Sequence, residues 1–545
     1  MSTPTARSLQ IVGRESPAPV PGTKRLAAID IGSNSIRQIV ADVSDSGDIR
    51  VVDEMKAAPR LGTGLSETGG LDPLSMDRAV EALSRMATLA RQLGAARIEA
   101  VATSAVRDAN NGPLFLARVK RETGLQVKLL RGEDEARLSF RSALAHFDLG
   151  AGRSVVMDIG GGSLELALSA DGIVERLISL PLGAIRLTER FLSPMPRRKE
   201  LVKMRRHIRE SLRGQFPVRD WRGAQVIGSG GTFTNLAGMY LARQGMLTAK
   251  TVHGSEIPRI ELEHLFDLLQ ELTPDERRSV PGLNPERADI ILAGLAVAAE
   301  VVARVDAREV VASRYGIREG LLLETARVAP TIADPGEARE RSVREFAERC
   351  HFEAPHATHV QRLALQLFDT IGGRLGCEPG DRDILANAAL LHDIGYHISY
   401  DKHHKHSYHL ILHADFLGMS PTEQVALANI ARYHRGAPPK KKHRNYGMLD
   451  QAIRDRIKRL SAILRVADGF DRGHIGAVDR IKVRWMQRAV RLTPVPHPKA
   501  TSIRLELWSA SRKSDLLAEL AGVPVEVIAP DGKVVEDRDA SSGSE

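Results

Sequence analysis

The sequence predicts an α/β protein of two similar lobes, followed by an all-helical region and a small strand-containing end. Three observations predict it. The stretch "LAAIDIGSNSIRQIV", from Leu26, is echoed by "VVMDIGGGSLELALS", from Val155, with Asp30 and Asp158 128 residues apart. Each copy opens a run in which short β-rich segments alternate with helical ones, as in a duplicated α/β fold with a cleft between its halves. Beyond about residue 338 the chain changes character: 14 of the 18 His lie from His351 onward, in long amphipathic segments.

In the first lobe (25–150), "RLAAIDI", "SIRQIVADVS" and "IRVVDEM" read as a strand meander. "DPLSMDRAVEALSRMATLARQLGA" is a helix stopped by Gly94. "IEAVATSAV" returns as a strand and "GPLFLARVKRETG" as a helix. The second lobe (151–328) repeats three strands from Ser154. It then has the strand–Gly loop–helix unit "AQVIGSGGTFTNLAGMYL" and the long helix "PERADIILAGLAVAAEVVARVDA". Prolines in "VAPTIADPGEARE" mark a boundary. A helical domain is expected over 338–476. A small α+β domain is expected over 477–540, where "RIKVRWMQRAVRLTPV" and "SIRLELWSA" look strand-rich. Residues 1–24 and the "SSGSE" end read as flexible tails.

The chain has 545 residues, 43% of them apolar and 27% charged, the balance of a globular protein. Two Cys exclude a disulfide framework. With no apolar run of membrane-spanning length and no signal-peptide core, a cytoplasmic protein without membrane association is expected. The net charge of +9 suits a polyanionic partner. Aromatic content of 4% disfavours base stacking, and no nucleic-acid reader module is present.

"DIGSNS" and "DIGGGS" each follow a strand. Glycine lets backbone N–H groups approach an anion, and an Asp at a strand end suits a metal ion or its water shell. A third glycine loop, "GSGGT", starts at Gly228. "ATSAVRDAN" brings Arg107, whose guanidinium suits a two-pronged grip on phosphate. "LLRGEDEARLSF" carries Glu133, Asp134 and Glu135 at a helix start. They fit either a complement to the helix dipole or a carboxylate that orients water; spacing does not choose.

"DIGSNSIR", "TSAVRDA", "GEDEARL", "DIGGGSLEL" and "GSGGT", in this order, resemble the exopolyphosphatase/guanosine-pentaphosphate phosphatase family, whose lobes are actin-like and ribonuclease H-like. "RYGIREGLLLE" resembles the end of that family's second lobe. The resemblance implies that Glu135 is the catalytic carboxylate and that Asp158 helps hold Mg²⁺ (or Mn²⁺) and the attacking water, with Glu165 supporting the metal. It implies that Gly160, Gly161, Gly162 and Ser163 hold the terminal phosphate. Asp30, Ser33, Asn34 and Arg107 would supply the facing lobe's share of the site, and Gly230 and Thr232 the loop that meets nucleotide in kinase relatives. Water attack on a terminal phosphoryl group needs in-line placement and charge neutralisation more than covalent help. The implied activity is processive release of orthophosphate from polyphosphate, or conversion of guanosine pentaphosphate to tetraphosphate, by a homodimer. A non-catalytic anion sensor and a sugar kinase or ATPase of the same superfamily are the competing readings.

In the helical region, His359, His392, Asp393, His434 and Asp468 follow the order of the HD phosphohydrolase superfamily. Imidazole and carboxylate together suit Fe, Mn, Zn or a mixed binuclear site. Either a second divalent metal sits here, or the residues are a relic whose polar groups satisfy one another. The basic run "PPKKKHRNY" (Lys440, Lys441, Lys442, His443 and Arg444) and the cluster around Arg197 are candidates to line a polymer channel.

Overall fold

The computed structural model describes residues 22–535, apart from 216–220, 247–250, 329–334, 415 and 417–418. Most of the tail expected over 1–24, the Pro-rich core of the expected boundary at 329–334 and the final Ser-rich stretch lie outside the described residues.

The first sheet has strands β1 (Thr23–Ile31), β2 (Ile36–Ser44), β3 (Ile49–Ala57), β4 (Arg97–Ala102) and β5 (Val127–Leu129), in the order β3-β2-β1-β4-β5. β1, β2 and β3 form an antiparallel meander; β4 and β5 add in parallel. The second sheet contains β6 (Arg153–Ile159), β7 (Leu164–Ala170), β8 (Ile173–Leu180), β9 (Gln225–Ser229), β10 (Ser255–Pro258) and β11 (Glu309–Ala312), in the order β10-β11-β9-β6-β7-β8. Its meander β6-β7-β8 and the parallel additions β9 and β11 repeat the first sheet. β10 is an extra antiparallel edge strand.

The repetition extends to single hydrogen bonds. Gly32 N–H donates to Ser35 C=O at 3.1 Å, and Gly160 N–H to Ser163 C=O at 3.0 Å. Asp30 pairs across the hairpin with Arg37, and Asp158 with Glu165. Facing cross-strand side chains lie on the same side of a sheet. So each copy projects two charged side chains on one face, acid with base in the first and acid with acid in the second.

Two helices cross the expected boundary between the lobes. Helix Gly132–Leu144 buries Ala136, Phe140 and Ala143 against Val156, Ala167 and Ile227 of the second sheet. Helix Ile317–Thr325 returns the other way and packs Leu321 and Leu322 against Leu26, Ala28 and Ile39 of the first. The two helices also meet each other. A methyl group added at Gly320 would come 2.1 Å from the Leu138 carbonyl oxygen.

The helical region comprises Pro335–Arg349, Ala354–Ile371, Asp381–Leu391, His403–Leu412, Pro421–Tyr433 and Gln451–Gly469, with shorter turns between. The expected separate C-terminal domain is not separate. β12 (Val478–Trp485), β13 (Val490–Pro496) and β14 (Val525–Val527) form a small sheet whose Val478, Leu492 and Val527 share one hydrophobic core with Leu460 and Ile463 of the last long helix. "SIRLELWSA", expected as strand, is largely helix Arg504–Arg512, because Leu507 and Ala510, one turn apart, bury on that core.

Gly320→Ala is expected to cost about 1–3 kcal/mol, the usual range for overpacking a filled contact. Leu138 lies one turn from Glu135, so phosphate release should fall too. Thermal unfolding and phosphate release on one preparation check this; an unchanged midpoint would show that the helices part freely.

Candidate functional site

The two hairpin turns face each other across the cleft between the lobes. A methyl group at Gly161 would lie 2.9 Å from Ser33 Cβ and 3.3 Å from the Asn34 nitrogen, and one at Gly162 2.1 Å from Ser104 Oγ. Only glycine allows such an approach. Ser33 and Ser104 hydroxyls are hydrogen bonded at 3.0 Å. Arg186 ties the turns together: its Nε donates to the Gly162 carbonyl at 2.8 Å and its Nη2 to Asp108. Lys56–Glu286 and Arg60–Asp289 ion pairs close one rim at 2.6 and 2.8 Å.

The cleft encloses about 110 Å³ of open space. Asp30, Ser33, Asn34, Glu135, Asp158, Gly160, Gly161, Ser163, Glu165 and Gly230 all line it. Gly162 lines a small adjoining recess with Ser104 and Arg186. Arg107 stands behind the wall, where its Nη1 donates to Glu135 and, at 2.9 Å, to the Leu130 carbonyl; it fixes Glu135 rather than reaching into the cleft. Thr232, expected with Gly230, turns away. It is 1% exposed and packs on Gly294, because the helix Gly231–Arg243 starting at Gly230 carries it below the wall.

Four cationic or helix-starting features were not assigned from the sequence: Arg37, Arg287, Arg318 and the turn Gly316–Ile317, all lining the cleft. Arg37 and Arg318 sit inside quoted motifs, and Arg37 was findable as the hairpin partner of Asp30. Arg287, brought in by a short 3₁₀ turn at Pro285–Arg287, carries no sequence signal.

The electrostatics are those of acids crowded out of water. Burial, with the Glu165 charge adding, pushes Glu135 up to about 9. Burial pushes Glu165 up to about 8, with Asp158 adding and the Ser163 and Ser179 hydroxyls opposing. Burial and then the Asp158 charge push Asp30 up to about 6, and burial raises Asp158 as well. On the other side, burial and the neighbouring Arg37 bring Arg287 down to about 10. Asp30 Oδ1 is buried without a hydrogen-bond partner. Uncompensated buried acids and an orphaned carboxylate oxygen fit a bound cation. Among the described residues no three of these acids bring ligand oxygens within 4.8 Å of one another. A cation here would therefore be completed by water and phosphate oxygens, the coordination Mg²⁺ prefers.

The description "Ppx/GppA phosphatase family" matches residues 39–328, and "Ppx/GppA phosphatase, domain III" matches residues 338–498. The chain belongs to the Ppx/GppA phosphatase family. A guanosine-5'-triphosphate,3'-diphosphate pyrophosphatase of Vibrio campbellii is 28% identical over 75% of this chain and 80% of its own. Exopolyphosphatase 1 of Mycobacterium leprae is 33% identical over 55% of this chain and 88% of its own. The crystal structure of an exopolyphosphatase from Cytophaga hutchinsonii superposes with a TM-score of 0.53 at 26% identity, over 56% of this chain and 99% of that one. No described helix is long and apolar enough to cross a membrane.

In the domain III region the structure gathers His392, Asp393, His434 and Asp468 but corrects one expected residue. His359 lies outside the cluster, its Nδ1 3.2 Å from Arg362 Nη2. His356 takes the place, with Nε2 3.3 Å from His392 Nε2. The two residues sit one turn, about 4.5 Å, apart on one helix, so the sequence pattern cannot distinguish them. His403, which the sequence reading passed over among many histidines, also joins the cluster at 3.3 Å from Asp393. The exposed Lys440, Lys441, Lys442 and Arg444 flank the junction with the second lobe, where Gly245 abuts the Met448 carbonyl. In the Arg197 region, Arg205 and Arg209 are instead neutralised by Glu263 and Glu300.

A carboxyl group whose native pKa lies above its unfolded value binds more protons when folded, so stability falls as pH rises between the two values. For Glu135 that window runs from about 4.5 to about 9. Metal-stripped protein should lose thermal stability from this group as pH rises across it. Glu135→Gln, which mimics the protonated acid, should flatten the slope, and so should millimolar Mg²⁺. Unfolding midpoints from pH 6 to 9 check this; parallel slopes for the two proteins would refute the assignment.

Proposed function

We propose that the chain is a metal-assisted phosphoanhydride hydrolase that removes the terminal phosphate of inorganic polyphosphate. The observation that carries the proposal is the pair of glycine turns meeting around one cleft that holds four buried carboxylates and three arginines. Backbone at Gly160, Gly161 and Ser163 would receive the terminal phosphoryl group, with Ser33 and Asn34 closing on it from the first lobe. Arg37, Arg287 and Arg318 would offset its charge. Glu135, held by Arg107, would orient the attacking water and take its proton. Asp158 and Glu165, with Asp30 opposite, are the residues to hold Mg²⁺ or Mn²⁺; when bound, the ion neutralises phosphate charge and lets the acids ionise together. Asp158 is fixed for this role by the Ser139 hydroxyl at 3.2 Å, and Glu165 by Ser179 at 2.9 Å.

Polymer is favoured over nucleotide by the exposed lysine run at the junction with the second lobe. Spaced point charges there suit a long polyanion and give binding that weakens with salt. The second reading, guanosine pentaphosphate, is favoured by the Vibrio campbellii relative, whose likeness extends over three quarters of the chain.

Glu135→Gln should reduce phosphate release by about a hundredfold or more, the usual contribution of a positioned base, while polyphosphate binding stays near wild type. Parallel rates on long polyphosphate and guanosine pentaphosphate, with and without Mg²⁺, decide the substrate. Full turnover by the variant would remove Glu135 from the mechanism; faster release from the nucleotide would overturn the polymer reading.

A further inference from the structure

We propose that the helical domain holds a pair of divalent cations bridged by Asp393 and forms a second, independent centre that hydrolyses small organic phosphate esters. The inference rests on the direction of the hydrogen bonds. Four buried imidazoles have Nδ1 engaged with a fixed acceptor: His356 with Asp471 Oδ2 at 2.8 Å, His392 with the Ala389 carbonyl at 2.7 Å, His403 with the Tyr400 carbonyl at 3.1 Å and His434 with the Ala431 carbonyl at 2.6 Å. A carbonyl or carboxylate acceptor fixes the proton on Nδ1 and leaves Nε2 as a bare lone pair. All four Nε2 atoms point at the same two carboxylates.

The lone pairs fall into two sets that share Asp393. On one side, His356 Nε2 and His392 Nε2 lie 3.7 and 3.5 Å from Asp393 Oδ2, and each is 3.9 Å from Asp468 Oδ1. On the other, His403 Nε2 and His434 Nε2 lie 3.3 and 3.4 Å from Asp393 Oδ1. Asp393 Oδ1 has no hydrogen-bond donor. An arrangement of acceptors facing acceptors is costly when buried unless a cation sits among them. A metal with ligands at about 2.0–2.2 Å keeps neighbouring ligand atoms roughly 3 to 3.6 Å apart, close to these spacings. His/Asp donor sets of this kind suit Mn, Fe or Zn better than Mg.

The second set has three protein ligands, so positions remain for water and substrate. It opens where they are needed: Asp393 lines a pocket of about 650 Å³ together with Tyr396, Tyr400, Arg472 and His474. One arginine and two tyrosines suit a single phosphate carrying a planar organic group, not a long polyanion. Lys513, paired with Asp468, places a further cation beside the cluster. In the reaction the oxygen of a water adds to phosphorus and the ester P–O bond breaks. One water proton leaves with the alcohol and the other stays on the released phosphate.

The test uses the full chain, stripped of metal, reloaded with Mn²⁺ and assayed for bound metal by mass spectrometry and for release of nitrophenol from p-nitrophenyl phosphate and bis(p-nitrophenyl) phosphate. About two equivalents of Mn²⁺ are expected. His403→Ala should retain about one and lose ester hydrolysis by at least a hundredfold while keeping polyphosphate turnover, which shows that it is folded. Glu135→Gln should keep ester hydrolysis, which separates this centre from the cleft. Asp393→Asn should lose both ions. Metal below half an equivalent, or the same stoichiometry in Asp393→Asn as in the wild type, overturns the site. Two bound ions without ester turnover overturn the hydrolytic role, and ester turnover lost with Glu135→Gln assigns it to the cleft.

Discussion

The constraint on which the rest of the structure depends is electrostatic: Asp30, Glu135, Asp158 and Glu165 line one cleft, away from bulk water. Moving even one carboxylate out of water costs several kcal/mol unless it is neutralised. Around this cost the site is arranged. The arginines from the first hairpin, the 3₁₀ turn and the returning helix surround the acids, Ser139 and Ser179 donate to two of them, and Arg107 clamps a third. A binding site for a polyanion and a cation is the natural use of such an excess of unsatisfied charge.

The duplicated hairpin turns repetition into asymmetry. Both copies carry the same turn and the same Asp at the strand end, so both lobes offer backbone donors to one point. Seven residues on, the copies diverge: Arg37 in one and Glu165 in the other, in matching register. One lobe is thereby biased toward holding the phosphate and the other toward holding the cation. The domain III region repeats the theme with different donors, imidazole replacing backbone amide.

Much of this was legible in the sequence. The strand meanders, the two glycine turns and Glu135 stand out because local pattern and local chemistry coincide there. What escaped had long-range causes. Thr232 is adjacent to the cleft in sequence but is carried beneath it by helix geometry. Arg287 carries no motif because a short turn, not a regular element, delivers it. His356 and His359 differ by one helical turn, and only packing against Asp471 selects the first. The C-terminal segment "SIRLELWSA" has strand-like composition, but Leu507 and Ala510 find a hydrophobic partner only when the segment coils.

The exchange of helices between the lobes bears on how the molecule comes to exist. The first sheet leaves Leu26, Ala28 and Ile39 without their covering residues until Leu321 and Leu322 arrive. On a ribosome that interval is nearly the length of the second lobe, so the first lobe emerges with a bare apolar face and waits. Its maturation is tied to completion of its neighbour. The two halves of the cleft are therefore finished together or not at all, and a nascent chain interrupted between them exposes an adhesive surface rather than half an enzyme.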